Sequence, residues 1–331
     1  MSSKPDNMVS VRELCSKALT YTHTAAIPLD QVYWGAAKSS YNLSGNFVAL
    51  LEGGVVRVCL DPALQRGDPV VCAPAQTNIT DMDWSTHRQC DMALLSKRHC
   101  ISYCNVLEDR ISYSAHSATP LCCIKTSPHD PFLLLTAGKE YKVWDMRQES
   151  PVLSTPLLTS PCCAAKHSSK SCCFVVRNEN TVVGVRGGGL GVLDMRNVGQ
   201  LVETAETGFR SVFSVESSEE SSVESSEESR GRSLIVQGGS GRVRVFGMES
   251  LKVVESSYAG DSSGKPVSGL AFRDDFFIQG SEKMSLFNEL LRRPVLDFPD
   301  DCRSVLSTAN RPGSDSLFCS SKGAAYLVSF H

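Results

Sequence analysis

The sequence predicts an all-β fold in which seven similar antiparallel sheets close into a ring. The first observation is a repeat: an apolar strand, a tight turn rich in Gly or charge, and an alternating strand recur every 40 to 53 residues along the 331-residue chain. The second is the copy Leu133–Asp145, which ends in a Trp-Asp pair. Repeats of this length with that dipeptide are typical of a seven-bladed WD40 β-propeller, a fold that usually serves as a binding platform.

Each predicted blade has one position equivalent to Trp144 of the best copy. The seven equivalent positions are Cys59, Cys104, Trp144, Leu193, Phe246, Phe287 and Val328. The strands predicted for blades one to three are Phe47–Leu51, Val55–Leu60, Ile79–Trp84, Met92–Leu95, Ile101–Val106, and those within Leu121–Asp145, with an outer strand near Pro151–Pro156. Those of the later blades are Leu190–Met195, Arg242–Phe246, Phe276–Gln279, Met284–Asn288, Ser316–Cys319 and Ala324–Phe330.

Residues 1–27 are predicted to be an N-terminal extension, and residues 28–331 the propeller. In the extension, Ser10 followed by Glu13 makes a capping box, which favours one short helix. The apolar stretch Pro28–Trp34 is expected to form an N-terminal strand that closes the last blade, because that blade stops at Phe330 without an outer strand of its own. Such closure removes an exposed sheet edge.

An acidic insertion at residues 214–230 interrupts the fifth blade. Residues 214–221 read Ser-Val-Glu-Ser-Ser-Glu-Glu-Ser, and residues 222–229 repeat them letter for letter. A segment this poor in apolar residues is predicted to be disordered, because it buries too little surface to offset ordering entropy. Ser217, Ser221 and Ser225 each precede a Glu by three positions, so they are candidate phosphorylation sites. A tolerated surface expansion without a specific role is the alternative.

Composition narrows the functional classes. The chain has 33 Lys and Arg against 36 Asp and Glu, a net charge of −3, which argues against general nucleic-acid binding. No run of 18 apolar residues and no secretory signal is visible, so we expect a cytoplasmic and also nuclear protein without a membrane partner. The fourteen cysteines include three adjacent pairs but no Cys-x-x-Cys, which favours reduced, packed thiols over a metal site or a disulfide framework.

Motifs that usually carry chemistry are absent or have simpler explanations. The run Gly187–Gly191 precedes a strand rather than a helix, so it indicates a hairpin and not a phosphate loop. The histidines are scattered without ligand-like spacing, and His116 is expected to support a sheet or to be exposed. No Gly-x-Ser-x-Gly elbow occurs. We therefore expect no enzyme activity, no metal and no cofactor.

The tight hairpins of blades two to seven share one property: each carries a basic residue. These residues are Arg98, Lys139, Arg186, Arg242, Lys283 and Lys322. In a propeller such hairpins project from one face, so they are predicted to form a ring of positive charge that attracts an acidic partner. The alternative is that turns often hold Lys or Arg because turns are solvated.

The first half of the chain resembles the methylosome WD-repeat protein family, the β-propeller cofactor of the type II protein arginine methyltransferase, including its insect Valois-type members. The similarity lies in Gly54–Pro62, Thr77–Trp84, His116–Pro128 and Trp144–Arg147, and it extends to about Arg196. It implies a non-catalytic subunit that binds and stabilises the methyltransferase in a hetero-oligomer and helps to present substrates such as Sm proteins and histones. S-adenosylmethionine would bind the partner only.

The first-blade hairpin departs from the pattern of this family. The family hairpin can be longer and carry an aromatic anchor for the enzyme, whereas here it is Glu52-Gly53-Gly54. Glu52 and Gly53 are therefore candidate partner-binding residues in an altered docking site. The alternative function is a substrate receptor of a cullin-type ubiquitin ligase, because Trp144–Arg147 and Leu193–Arg196 resemble the Trp-Asp-x-Arg box of those receptors.

Overall fold

The computed structural model of the chain describes strands and the turns between them. It covers residues 21–28, 38–60, 78–138, 140–155, 174–186, 189–196, 201–209, 212–217, 233–238, 243–258, 268–272, 276–280, 284–288, 294–297, 305–310, 316–321 and 324–330. The helix predicted near Ser10 lies outside these residues. Within them, no helix has the length and hydropathy needed to cross a membrane.

The strands of the first half form three antiparallel sheets. Sheet 1 contains β2 (Lys38–Tyr41), β3 (Phe47–Glu52) and β4 (Val55–Leu60). Sheet 2 contains β5 (Ile79–Trp84), β6 (Asp91–Ser96), β7 (Cys100–Asn105) and β8 (Arg110–His116). Sheet 3 contains β9 (Leu121–Thr126), β10 (Leu133–Gly138), β11 (Tyr141–Asp145) and β12 (Pro151–Thr155).

The second half continues the same pattern. Sheet 4 contains β13 (Phe174–Asn178), β14 (Thr181–Arg186), β15 (Gly189–Asp194) and β16 (Leu201–Glu206). Sheet 5 contains β17 (Val212–Ser217), β18 (Ser233–Gly238), β19 (Val243–Gly247) and β20 (Val253–Tyr258). Sheet 6 contains β21 (Ser268–Phe272), β22 (Phe276–Gly280), β23 (Met284–Asn288) and β24 (Pro294–Asp297). Sheet 7 contains β25 (Val305–Asn310), β26 (Ser316–Ser321), β27 (Ala324–Phe330) and the N-terminal strand β1 (Tyr21–Pro28).

The repeat seen in the sequence corresponds to one position of the sheets. Every residue aligned with Trp144 lies in the third strand of its sheet and pairs with a residue of the second strand. The pairs are Cys59 with Val48, Cys104 with Met92, Trp144 with Leu134, Leu193 with Val182, Phe246 with Leu234, Phe287 with Phe277, and Val328 with Leu317. In sheets 1 to 5 the residues at this position are all buried, which explains why apolar residues recur there.

The innermost strands place the sheets side by side around an axis. β2 contacts both β5 and β25, and β5 contacts β9. In the second half, β13 contacts β17, β17 contacts β21, and β21 contacts β25. Sheets 3 and 4 meet in a core cluster that includes Cys123 and Phe174. Trp144, 1% exposed, packs in the cluster that joins sheets 2 and 3. Burying one large apolar side chain of this kind stabilises the fold by about 1.5–3 kcal/mol.

The outermost strands of sheets 2 to 6 share a β-bulge. In each sheet the register between the third and fourth strands shifts next to the position aligned with Trp144, so that the fourth strand has one extra residue at that point, and β20 has a second shift further along. The extra residues are Ser112, Val152, Val202, Val254 and Val295. A bulge twists an edge strand and makes it a poor template for another strand, which protects the rim from edge-to-edge pairing.

The chain ends meet in sheet 7, as predicted, but the strand is not the predicted one. β1 pairs antiparallel with β27, for example Thr22 with Ser329. The prediction placed this strand at Pro28–Trp34, whereas it runs from Tyr21 to Pro28 and so begins inside the predicted extension. Thr-rich and Ala-rich sequence with few large apolar residues forms the strand, because an outermost strand needs an apolar pattern less than an inner strand does.

The predicted disordered insertion also needs its boundary corrected. Ser214–Ser217, the first residues of the acidic repeat, belong to β17 and pair with β18. Val215 is fully buried in the core cluster of sheets 4 and 5, which explains why the strand continues into the repeat. Ser217 is the last residue of β17, while Ser221 and Ser225 lie outside the described residues.

The predicted all-β propeller is therefore confirmed, but the predicted count of seven blades is not established at the level of packing. Both the strand pairing and the side-chain packing are described for sheets 1 to 5. The packing therefore establishes five blades rather than the predicted seven. Sheets 6 and 7 are described by strand pairing alone.

Candidate functional site

The connections between strands lie on two faces of the propeller. In a four-stranded antiparallel sheet, the first and third connections leave at one end and the second connection leaves at the other. We call the end with the second connections, and with the links between sheets, the hairpin face. Ile79 N donates to Gly54 O there, at 2.9 Å. On the opposite face, Asn42 Nδ2 of sheet 1 donates to Gln89 O of sheet 2, also at 2.9 Å.

The predicted basic residues all belong to second connections or to the strand ends beside them. Arg98 lies in the turn between β6 and β7 and is exposed. Arg186 ends β14, although its side chain is outside the described residues. The remaining four lie between described strands and are themselves outside the described residues: Lys139, Arg242, Lys283 and Lys322. The strand order places these hairpins on one face, and the ring of charge stays a prediction.

The part of the hairpin face that is described around sheet 2 is cationic. Lys97 and Arg98 are exposed in the same turn, and His116 is exposed at the end of β8, where it pairs with Cys100. Of the two alternatives expected for His116, exposure or support of a sheet, the structure shows exposure. The next residue, Ser117, is the buried one and is 1% exposed.

The first-blade hairpin is as short as the sequence predicts. Glu52 pairs with Val55, which leaves Gly53 and Gly54 as the two turn residues, with φ of 58° and 83°. Two successive positive φ values define the tight hairpin turn that favours Gly. Gly53 is exposed and has no side chain, so this turn offers a partner only its backbone and the strand-end residue Glu52.

A buried cation supports the hairpin face at sheet 3. Lys142, 6% exposed, donates from Nζ to Ser117 Oγ at 3.1 Å and lies 3.1 Å from Glu140 Oε2. Glu140 also accepts hydrogen bonds from Thr119 and Ser154. The hydrogen bond from Lys142 is the main reason that the pKa of Glu140 is lowered. The network fixes the link between sheets 2 and 3 against the hairpin of sheet 3.

The equivalent position in sheet 5 uses an Arg for the same purpose. Arg244 Nη1 donates to Thr207 O at 2.5 Å, and its guanidinium carbon lies 5.4 Å from the ring centroid of Phe209. Gly208, at φ 70°, stands where a side chain would collide with this guanidinium. Lys142 and Arg244 occupy the same place in the repeat, two residues before the position aligned with Trp144. A basic residue at this position of the repeat is visible in the sequence, but the prediction considered only the basic residues of the hairpins and did not include it.

The opposite face carries two Asp-x-Arg clamps at its rim. Arg147 donates from Nε and Nη2 to the two carboxylate oxygens of Asp145, at 2.8 and 2.6 Å. Arg196 binds Asp194 in the same way, at 3.1 and 2.9 Å. These hydrogen bonds lower the pKa of Asp145 and of Asp194. Both guanidinium groups are held in a fixed position, and much of their charge is neutralised by their own carboxylates.

Neighbouring blades present different side chains at the position of these arginines. Arg147 stacks on Phe132, with 5.0 Å from its guanidinium carbon to the ring centroid. The equivalent residue of sheet 2 is Leu107, which is 53% exposed, and that of sheet 5 is Glu249. Glu249 accepts hydrogen bonds from Arg177 of sheet 4 through both its side chain and its carbonyl oxygen. The rim therefore combines apolar, basic and acidic groups on a rigid frame.

Two carboxylates of β5 hold the innermost strands together. Asp81, 3% exposed, accepts from Lys38 Nζ at 2.5 Å and from the backbone N–H of Ile124 at 2.8 Å, so it bridges β2, β5 and β9. Burial raises the pKa of Asp81, and the ammonium of Lys38 opposes that rise. Two residues on, Asp83 pairs with Lys125 at 3.0 Å and accepts from Thr126 N at 2.9 Å. These groups are bound to one another, which indicates a structural role.

The remaining candidates for chemistry also have structural roles. Gly189 and Gly191 lie in β15, which pairs directly with β14, so the Gly run belongs to a hairpin as predicted. Cys122 and Cys123 are free thiols of different burial on one strand. Burial raises the pKa of Cys104 to about 12, which keeps this thiol protonated and unreactive. Among the described residues, no three His, Cys, Asp or Glu side chains are grouped to hold a metal ion.

Comparison with known proteins identifies the fold and no more. A scan against protein-family models and a search of curated proteins both find no match. Among solved structures, the chain is similar to the β-propeller domain of Cps50 (Swd1) from Myceliophteria thermophila, with a TM-score of 0.70 and 13% sequence identity. The alignment covers 94% of this chain and 99% of that domain. The chain thus has a WD40-type β-propeller fold.

Proposed function

We propose that the chain is a non-catalytic scaffold that binds and stabilises a type II protein arginine methyltransferase and helps to present protein substrates such as Sm proteins or histones. In this proposal S-adenosylmethionine binds the methyltransferase, and the complex acts in the cytoplasm and nucleus. In this proposal sheets 6 and 7 serve as the last two of seven blades, and the contacts of β17 with β21, β21 with β25 and β25 with β2 support that count.

One observation carries the proposal: the segments that resemble the methylosome family are neighbours in space. Gly54, in the first segment, accepts a hydrogen bond from Ile79 in the second. Asp83 of the second segment is bound by Thr126 and Lys125 of the third. Similarity that is scattered along the chain therefore collects in blades 1 to 3, as a shared binding region would.

The docking surface in this proposal is the hairpin face. Lys97 and Arg98 make the part of this face around sheet 2 cationic, which favours an acidic surface on the methyltransferase. The turn Gly53-Gly54 lacks an aromatic anchor, so charge takes a larger part in docking than in the family. Such docking weakens as salt rises, because exposed charges are screened.

The test is a pull-down of the tagged full chain from native extract, read by mass spectrometry. We expect an arginine methyltransferase at near-equal amounts. A triple charge reversal, Lys139→Glu with Arg242→Glu and Lys283→Glu, is expected to reduce its recovery at low salt, while Arg196→Glu on the opposite face serves as the matched control. Recovery of ligase components alone would refute the family assignment, and unchanged recovery with the triple variant would refute docking through the hairpin face.

A substrate receptor of a cullin-type ubiquitin ligase is the second candidate, favoured by the exposure of the Asp-x-Arg arginines. The side chains of Arg147 and Arg196 are 60% and 67% exposed. In this function a ligase adaptor binds guanidinium groups that are already paired with Asp145 and Asp194. Arg147→Ala with Arg196→Ala would then abolish recovery of the adaptor and leave recovery of a methyltransferase unchanged.

A further inference from the structure

Five positions of the chain have a Ser or Thr directly before a Pro, the pattern that proline-directed protein kinases require in a substrate. They are Thr119, Ser127, Ser150, Thr155 and Ser160. The side chain of Thr155 and the whole of Ser160 lie outside the described residues. The hydroxyl groups of the other three can be compared for their access to a kinase.

Two of the three hydroxyl groups are held in connections of the propeller. Ser127 is 2% exposed, and its Oγ accepts hydrogen bonds from the backbone N–H groups of His129 and Asp130, both at 3.2 Å. Thr119 is half-buried and donates from Oγ1 to Glu140 Oε2 at 3.2 Å. A kinase has to reach the hydroxyl that it modifies, so the folded chain protects both of these groups.

Ser150 differs because it is exposed at a loosely held end of a strand. It lies in the third connection of sheet 3, directly before β12. Pro151 opens β12 opposite Trp144 but has no N–H to donate, and Val152, 45% exposed, is the bulge residue with no residue opposite it. Regular pairing resumes only at Leu153. The segment around Ser150 can therefore leave the sheet edge as an extended substrate while the rest of sheet 3 stays paired.

The register of β11 and β12 also determines what a phosphate on Ser150 would meet. Because Trp144 pairs with Pro151, Asp145 and Ser150 are the next residues on the two sides of the turn. Arg147 belongs to that turn, is 60% exposed in its side chain, and donates from Nε and Nη2 to Asp145. A phosphoserine carries a charge of about −2 at neutral pH, and a phosphate binds a guanidinium group through two hydrogen bonds. Phosphate and carboxylate would thus compete for one guanidinium group.

We propose that Ser150 is a phosphorylation site for a proline-directed protein kinase, and that its phosphate draws Arg147 away from Asp145. In the transfer, the bond from the γ-phosphorus of ATP to the β–γ bridging oxygen breaks and a bond to Ser150 Oγ forms. The hydroxyl proton passes to the catalytic carboxylate of the kinase, and ADP leaves. The clamp at the rim of sheet 3 changes from a neutral pair to a negative patch. This regulation goes beyond the proposed scaffold role and holds for any partner of that face.

The first test incubates the full chain with ATP, Mg²⁺ and a purified mitogen-activated protein kinase, and quantifies the modified positions by mass spectrometry. Ser150 is expected to be phosphorylated. Occupancy at Ser127 and Thr119, the internal controls, should stay below roughly a tenth of that at Ser150, because reaching them requires packed connections to open. The proposal is overturned by an unmodified Ser150. Equal occupancy at Ser127 would also overturn it, because the kinase would then be acting on unfolded chain.

The second test is a ³¹P NMR titration of the phosphorylated chain, which reports contact with Arg147. A guanidinium group lowers the second pKa of phosphoserine, ordinarily about 6, because it favours the dianion. Arg147→Gln is therefore expected to raise the pKa of the phosphate by roughly half a pH unit. Arg196→Gln, which alters the same clamp in sheet 4, is the matched control and should leave that pKa unchanged. Equal values in the two variants would overturn the competition for Arg147. Neither test contains a methyltransferase, so their outcomes are independent of the pull-down.

Discussion

Replacing Asp81 by Ala removes the carboxylate that joins three innermost strands. The backbone N–H of Ile124, a fully buried residue, loses its acceptor, and Lys38 loses its ion pair but keeps a hydrogen bond of 2.8 Å to Met82 O. An orphaned buried donor costs about 1–3 kcal/mol, and breaking a buried pair by removing one partner costs about 3–5 kcal/mol. Lys38 is 22% exposed in its side chain, so it partly recovers hydration. We therefore expect a net loss of about 2–4 kcal/mol.

Urea unfolding of the full chain, followed by tryptophan fluorescence, measures this loss. Asp81→Asn keeps an acceptor for Ile124 and should cost about 1–2 kcal/mol, less than Ala. Glu108→Ala, at an exposed acid, is the control and should stay within about 0.5 kcal/mol of the unmodified chain. A loss below about 0.5 kcal/mol for Asp81→Ala would refute the idea that this carboxylate stabilises the inner ring.

The pH dependence tests which effect dominates at Asp81. Because burial raises its folded pKa above the unfolded value, the folded chain takes up this proton first. The Asp81 contribution to stability therefore grows as pH falls through the folded pKa towards the unfolded value. As the pH falls from neutrality towards the unfolded pKa of an aspartate, about 3.9, the difference in unfolding free energy between the unmodified chain and Asp81→Asn should widen. A narrowing gap would show that attraction to Lys38 outweighs burial.

Three further predictions concern blade 3 and its rim. Thr136→Val leaves the buried indole N–H of Trp144 without its 2.9 Å acceptor and should cost about 1–3 kcal/mol in thermal or urea unfolding, whereas Thr136→Ser should retain most of the stability. Gly138→Ala places a Cβ in overlap with the backbone just before β9, so a loss of about 1–3 kcal/mol is expected, and an unchanged midpoint would show that the strand shifts freely. The hydrogen bonds from Arg147 hold the pKa of Asp145 below 3.8, so the stability they contribute is present above that value and is lost as pH falls through the folded pKa. Arg147→Gln should flatten the acid limb of the stability profile, and an unaltered limb would contradict the clamp.

The third strand of every sheet was predictable from the sequence, whereas most of the innermost and outermost strands were not, with β12 an outer strand that was. Ile79–Trp84 and the strand around Trp144 carry dense apolar patterns because both of their faces are buried. β8, which was not predicted, shows only Tyr113 and Ala115 buried among its residues, so its pattern resembles a loop. The closing strand was misplaced for the same reason, since an edge position demands little hydrophobicity.

The candidate site was predictable only in outline. The repeat alone predicts the order of the strands, and that order places all the basic hairpins on one face. The anchors Asp81, Lys142 and Arg244 were missed, since a charged residue within a strand suggests a solvated face until its partner from another blade is known. The Asp-x-Arg pattern was visible, but the pairing inside each motif depends on the geometry of the turn that follows the strand.

The pairing of β1 with β27 has a consequence for biosynthesis. Tyr21–Pro28 leaves the ribosome long before its partner Ala324–Phe330, because almost the whole propeller lies between the two strands in the sequence. Until β27 has been made, β1 has no native neighbour and sheet 7 cannot form completely. Because β1 is rich in Thr and Ala, it exposes little apolar surface while it is unpaired. It therefore offers chaperones and other nascent chains little to bind before sheet 7 forms.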